Sequence, residues 1–296
     1  MLKQISRSNI LWILFISLIF TEVTAKPRVK KIQLSTPTSL VVDLKTGKIL
    51  HEKNANTRVY PASLVKLMTS YLAFESIESG KLLMNQRLRV SERAEKMKPT
   101  KLGLLKGEYI TVRDATLGVT IKSANDAAVV LAENIARSEV AFVGLMNSRA
   151  KQLGMKDTKF KNASGWHDPE QKTTARDVAK LAIALKRDFP RFYPIFSKTS
   201  FVFRGNVVEG HNNVTANYDG AEGLKTGYTI PSGYNLVTVA SKNNKTLVGV
   251  VTGCATASSR DQTMVKLLEE NFVKHQHKRT KYTKNEPNSY MKNKST

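Results

Sequence analysis

Pro61-Ala-Ser-Leu-Val-Lys-Leu-Met-Thr-Ser-Tyr71 is the stretch on which the fold of this 296-residue chain turns. From Leu64 to Ser79 there is no proline or glycine. Apolar residues stand at Leu64, Leu67, Met68, Leu72 and Phe74, a spacing that predicts a helix with Ser63 in its first turn. Three residues of separation put the Ser63 hydroxyl and the Lys66 amine on one helix face. A serine that merely caps a helix and a lysine on its surface would look the same, so the surroundings have to decide.

Upstream, Ser39-Leu-Val-Val-Asp43 and Lys48-Ile-Leu-His-Glu52 flank Lys-Thr-Gly and predict strand, turn and strand. Downstream, Val112 to Ile121, Asp126 to Arg137, Val140 to Leu153 and Thr174 to Lys186 predict helices. Strands return at Leu236 to Ala240 and Thr246 to Val251, and a last helix, capped by Ser258 or Ser259, is expected to run to about Phe272. Strands at both ends around a helical middle indicate an α+β domain: one antiparallel sheet built from the two termini, flanked by helices, with a mostly helical subdomain against it.

The ends of the chain differ from this body. Residues 1–25 begin with Lys3 and Arg7, continue as an apolar run from Ile10 to Phe20 and close on Val23-Thr24-Ala25, the pattern of a secretory signal. This 11-residue stretch is short of the roughly 20 residues that a membrane span needs. A single folded domain is expected over residues 26–275. Beyond it, residues 276–296 are expected to form a disordered basic tail; from Lys274 on there are seven Lys or Arg against the single Glu286. The whole chain carries 47 Lys plus Arg against 24 Asp plus Glu, a net charge of +23, so it should attract polyanions or anionic membranes. For an exported protein those are wall polymers and lipid head groups rather than nucleic acid. One cysteine and five scattered histidines argue against a disulfide framework and a metal centre, and no cofactor is expected. Cys254 reads as a small buried strand residue.

Two further short patterns follow Ser63-Leu-Val-Lys66: Ser123-Ala-Asn125 between two helices, and Lys225-Thr-Gly227 leading into the C-terminal hairpin. None is specific alone, since SxxK recurs at Ser148 and Ser289, SxN at Ser241 and KTG at Lys45. In order and in these settings they suit acyl transfer. A serine hydroxyl needs a base, and Lys66 serves if a nearby cation such as Lys225 and partial burial disfavour its protonation. Ser123 can relay the proton to a leaving amine, and Asn125 can hold Lys66 and a substrate amide. Backbone N–H groups of Ser63 and Tyr228 suit an oxyanion, and Lys225 and Thr226 suit a carboxylate.

These strings resemble the D-alanyl-D-alanine carboxypeptidases, penicillin-binding serine peptidases with the SxxK, SxN and KTG motifs. The likeness extends through Ser-Ala-Asn-Asp-Ala-Ala (123–128), Thr-Ala-Arg-Asp (174–177) and Gly-Leu-Lys-Thr-Gly-Tyr-Thr (223–229), and covers about Ser39 to Phe272. It implies a β-lactamase/transpeptidase-like fold and an acyl-enzyme on Ser63. The implied substrate is a peptidoglycan pentapeptide ending in D-Ala-D-Ala, with β-lactams as covalent inhibitors. Lys66, Ser123 and Asn125 would be catalytic, and Lys225, Thr226, Gly227 and Tyr228 would bind substrate. Arg260, by position, would join them at the terminal carboxylate, although an ion pair with Asp261 accounts for it equally well. Many members add an all-β domain and an amphipathic anchor helix; the sequence after Phe272 resembles neither, and the basic tail is expected to act as a tether in their stead.

A class A-like β-lactamase would need a glutamate four residues before an asparagine to activate water. Between Asn125 and Lys225 only Glu209 and Asn213 match, in a strand-like stretch close to Lys225. A non-enzymatic wall-binding protein would have no use for the intact serine and lysines. Carboxypeptidase and endopeptidase action remain open alike, since both cleave a peptide bond beside D-alanine.

Overall fold

The computed structural model describes residues 36–283, with side chains as far as 273; the signal-like segment 1–25 lies outside the described residues. Thr38–Asp43 (β1) and Ile49–Lys53 (β2) form the N-terminal hairpin, and Lys66–Glu78 is the first α-helix (α1). A small hairpin, Arg87–Arg89 (β3) with Tyr109–Thr111 (β4), encloses the short helix Glu92–Glu95 (α2). The helical middle consists of Val112–Leu117 (α3), Asn125–Ala136 (α4), Glu139–Gln152 (α5) and Ala175–Asp188 (α6). A second small hairpin, Ser200–Phe203 (β5) with Asn206–Glu209 (β6), precedes Asn213–Asn217 (α7). Long strands Ala221–Thr229 (β7), Gly233–Lys242 (β8) and Lys245–Cys254 (β9) then lead into Ala257–Thr283 (α8).

The main sheet is antiparallel, in the order β2-β1-β9-β8-β7. Alternation along the strands separates its two faces. Leu40, Val42, Val237, Val239, Val248 and Val250 face the larger core with α1, α4 and α6. Val41, Leu236, Ala240, Leu247 and Val251 meet Met264, Leu267, Leu268 and Phe272 of α8 on the other face. The α+β architecture expected from the sequence is therefore the observed one, and it leaves β7 as an edge strand.

Three local readings need correction. The cap of α8 is Thr256, whose Oγ1 accepts from the Ser259 N–H at 3.0 Å while Ser259 Oγ accepts from the Thr256 N–H at 3.2 Å; a reciprocal box satisfies two free donors at once, which neither serine at the first turn can do alone. α8 continues to Thr283, eight residues into the stretch 276–296 assigned as tail. Extending a helix already nucleated by packing needs no apolar residues of its own. Cys254 ends β9 half-buried rather than buried. The two small hairpins have no counterpart in the sequence reading, their strands being only three or four residues long.

Candidate active site

Ser63 lies in a single 3-10 turn, Ala62–Val65, immediately before α1, not in the α-helix itself. Ala62 takes φ 49°, a left-handed conformation that costs free energy and that the packing around it must hold. Lys66, the first residue of α1, is 0% exposed. Its Nζ lies 3.1 Å from Ser63 Oγ, 2.6 Å from Asn125 Oδ1 and 2.5 Å from the Ser164 carbonyl oxygen. Burial, reinforced by the Lys225 charge and opposed by Asp126, holds the Lys66 pKa well below the ordinary lysine value. As a neutral amine, Lys66 has two N–H groups for Asn125 and Ser164, and its lone pair then accepts from the Ser63 hydroxyl.

Ser123 follows a π-helical turn, Gly118–Lys122, with which the segment expected as helix to Ile121 ends; Ser123 itself sits at φ 62°. Asn125 begins α4, and its Nδ2 donates to the Lys98 carbonyl at 2.9 Å. Buried Asp126 organises this corner by accepting from the backbone N–H groups of Leu102, Gly103, Leu104 and Ala127. A carboxylate with that many donors is satisfied without a counter-cation.

Lys225, Thr226, Gly227 and Tyr228 lie consecutively on edge strand β7. A Cβ on Gly227 would stand 3.1 Å from both the Pro61 carbonyl oxygen and the Ser63 nitrogen, so the strand's approach to the serine turn leaves little room for a side chain. Lys225 is buried and donates to the Thr226 carbonyl at 2.9 Å. Burial, with a smaller contribution from Arg260, pushes its pKa down to about 7. Arg260, 4% exposed, pairs with Asp261 at 2.7 Å and also lines the same cleft as Ser63. That cleft, about 470 Å³, is also lined by Ser123, Asn125, Thr226, Gly227 and Tyr228, with Lys66 and Lys225 buried beneath. Glu209 is exposed on β6 and lines a separate, smaller cavity.

Three participants escaped the sequence reading. The loop 162–171 supplies the Ser164 carbonyl to Lys66. His211 lines the cleft, its pKa pushed down to about 4 by desolvation first and then by Lys225, Lys122, Arg260 and Lys66. Buried Asn235 on β8 donates to the carbonyls of Tyr60 and Pro61 and accepts from the Gly253 N–H, tying the sheet to the turn that carries Ser63. Asn-Ala-Ser-Gly (162–165), with its glycine after polar residues, is a local signal that could have pointed to a turn there. Among the described residues no cluster of three or more His, Cys, Asp or Glu is arranged to hold a metal ion.

Residues 22–256 match the sequence model of the D-alanyl-D-alanine carboxypeptidase family, and the chain belongs to that family. It is 36% identical over 241 residues to a D-alanyl-D-alanine carboxypeptidase of Escherichia coli, DacC, an alignment covering 79% of this chain and 60% of the relative. Penicillin-binding protein 5 of Haemophilus influenzae superposes with a TM-score of 0.78 at 34% identity, covering 81% of this chain and 72% of that one. Ampicillin-bound penicillin-binding protein D2 of Listeria monocytogenes gives 0.74 at 30% identity, covering 81% of this chain and 98% of that one. The chain spans 60–65% of the length of the first curated relatives it matches.

Proposed function

We propose that this protein is a serine-type D-Ala-D-Ala carboxypeptidase that removes the terminal D-alanine from peptidoglycan stem peptides. The observation that carries the proposal is the buried Lys66 amine, within hydrogen-bond distance of Ser63 Oγ, its pKa held well below the ordinary lysine value by burial and Lys225. Lys66 Nζ takes the Ser63 proton as Oγ attacks the carbonyl carbon of the penultimate D-alanine, while the N–H groups of Ser63 and Tyr228 receive the oxyanion. The C–N bond to the terminal D-alanine then breaks, its nitrogen taking a proton through Ser123. Water hydrolyses the acyl-enzyme and frees the shortened peptide.

Lys225, Thr226 and Arg260 are assigned to the free C-terminal carboxylate, which favours carboxypeptidase over endopeptidase action. A β-lactam offers the same pair, an acylating carbonyl and a carboxylate, and is expected to acylate Ser63 and stay. The absence of Glu209 from the cleft lining supports slow deacylation rather than β-lactamase activity. The test is gel detection of a fluorescent penicillin adduct together with release of D-alanine from a peptide acid and its C-terminal amide. Wild type should label and prefer the acid sharply, and Ser63→Ala should do neither. Equal turnover of acid and amide would remove the cations from carboxylate recognition.

The leader of residues 1–25 supports export across the inner membrane to the periplasmic or cell-wall space, and the seven cations from Lys274 on support reversible attachment to anionic lipid or wall polymer. Each cation near an anionic surface contributes on the order of 1 kcal/mol at low salt. Deleting residues 276–296 should weaken co-sedimentation with anionic vesicles at low salt; unchanged binding would assign the attraction to the folded domain.

A further inference from the structure

The two backbone N–H groups assigned to the oxyanion come from separate segments: Ser63 from the 3-10 turn, Tyr228 from β7. Their spacing therefore depends on how the turn is fixed against the sheet. The turn does not fix itself, since Ala62, immediately before Ser63, takes φ 49° and needs its surroundings to hold that conformation. One side chain spans the gap. Asn235 on β8 is 0% exposed; its Nδ2 donates to the Tyr60 carbonyl at 3.1 Å and to the Pro61 carbonyl at 3.3 Å, and its Oδ1 accepts from the Gly253 N–H at 2.9 Å. An amide carries two N–H donors, and here both go to successive carbonyls, which orients the two peptide planes leading into Ala62.

The backbone at the same position serves the other segment. Asn235 lies directly opposite Gly227, the residue before Tyr228, in the β7–β8 pairing. The Pro61 carbonyl oxygen that accepts from Asn235 is also the atom 3.1 Å from where a Gly227 Cβ would stand. On the far side the β8–β9 register shifts between Tyr234 and Leu236, and the bond from Gly253 commits Oδ1 to an N–H, so the amide has one orientation. Resting on the acyl-transfer reading above, we propose that Asn235 is a positioning residue that sets the spacing of the two halves of the oxyanion site. Its side chain holds the turn that carries the Ser63 N–H, and its backbone registers the strand that carries the Tyr228 N–H.

The experiment compares kcat/KM for the ester N-acetyl-D-Ala-D-lactate and for its thionoester, in which sulfur, a larger and weaker hydrogen-bond acceptor, replaces the reacting carbonyl oxygen. Wild-type release of D-lactate from the oxoester establishes acyl transfer in the same assay, so the oxoester-to-thionoester ratio alone judges Asn235. Wild type should favour the oxoester by about 10²-fold, the scale of one oxyanion donor. Asn235→Leu, close in size and without the amide, should lower oxoester turnover by about 10²-fold and thionoester turnover by about tenfold, so that the ratio falls by about tenfold. Asn235→Asp keeps the acceptor for Gly253 and loses the donor pair; it should shift the ratio the same way and serves if the leucine variant does not fold. Val239→Ala, a truncation of a buried core residue farther along β8, controls for lost stability: it should lower Tm and leave the ratio unchanged. Equal losses on both esters in the Asn235 variants, or a normal oxoester rate per folded molecule, would overturn the proposal and leave Asn235 as a buried amide with its hydrogen bonds satisfied. A wild type that releases no D-lactate would instead overturn the acyl-transfer reading on which it rests.

Discussion

Strand β7 and the loop 162–171 approach the same serine turn, and each does so through a glycine, yet they are held in place by different means. β7 is registered by the backbone ladder to β8, with Gly227 opposite Asn235 and Lys225 opposite Val237. The loop has no ladder at Ser164 and is held by single side chains, three of them from distant elements and one its own. Thr69 donates to the Ala163 carbonyl at 2.6 Å, Glu139 accepts from the Ala163 N–H at 3.0 Å, Asn162 accepts from the Gly165 N–H at 2.7 Å and Lys66 donates to the Ser164 carbonyl. A ladder distributes strain over many bonds, whereas a loop wired by single side chains concentrates it. The loop should therefore be the more easily broken support.

Removing the group that both supports serve gives the largest effect. Lys66→Arg cannot deprotonate, so penicillin acylation, followed by stopped-flow or gel, should fall by about 10²–10⁴-fold, the contribution of a positioned general base. Near-normal acylation would require another base. Gly165→Ala should come next. It places a Cβ 2.0 Å from a backbone oxygen at φ 81°, so the loop must move and take its lysine acceptor with it. A loss of about 10²-fold in acylation is expected for a displacement near 1 Å, with a lowered Tm. Gly227→Ala, at 3.1 Å and within a ladder, should cost only about tenfold. If Gly227→Ala proved worse than Gly165→Ala, the contrast between ladder and wired loop would be wrong.

The smallest effect concerns pH. Lys225 must be charged to hold a carboxylate, so kcat/KM for the peptide acid should fall as pH rises through about 7. Its pKa is lowered on folding, so the unfolded chain binds the extra proton. Stability should therefore rise between about pH 7 and the ordinary lysine value of 10.5. Lys225→Met, which removes a buried amine, should flatten that rise and raise Tm near neutral pH while losing preference for the peptide acid. Calorimetry across that range checks the sign; a lower Tm would mean that the Lys225 hydrogen bond to the Thr226 carbonyl outweighs its burial.

The residues that sequence reasoning could name are those whose roles are local. Ser63 and Lys66 are three residues apart, Ser123 and Asn125 two residues apart at the start of α4, and Lys225 to Tyr228 consecutive on one strand, so each set was visible as a short local pattern. The α+β class was legible for the same reason, because period-two and period-3.6 patterns are short-range. The reciprocal cap at Thr256, the π turn before Ser123 and the short hairpins were missed because their signals span too few residues to exceed the background of ordinary loops.

What the amino-acid sequence determined by itself was the chemistry available: a serine with a lysine one turn away, a second buried-capable lysine on a strand, and the order of the three motifs. What only the tertiary structure decided was the state of that chemistry. The Lys66 pKa is held well below the ordinary lysine value by burial and by Lys225, and the amine is oriented by Asn125 and by a carbonyl 98 positions away. Arg260 reaches both Asp261 and the cleft, and Gly165 packs directly on Ala62 and Ser63. Burial and long-range hydrogen bonds belong to the packed chain; a pattern of residue types along the sequence carries the groups but not the distances between them.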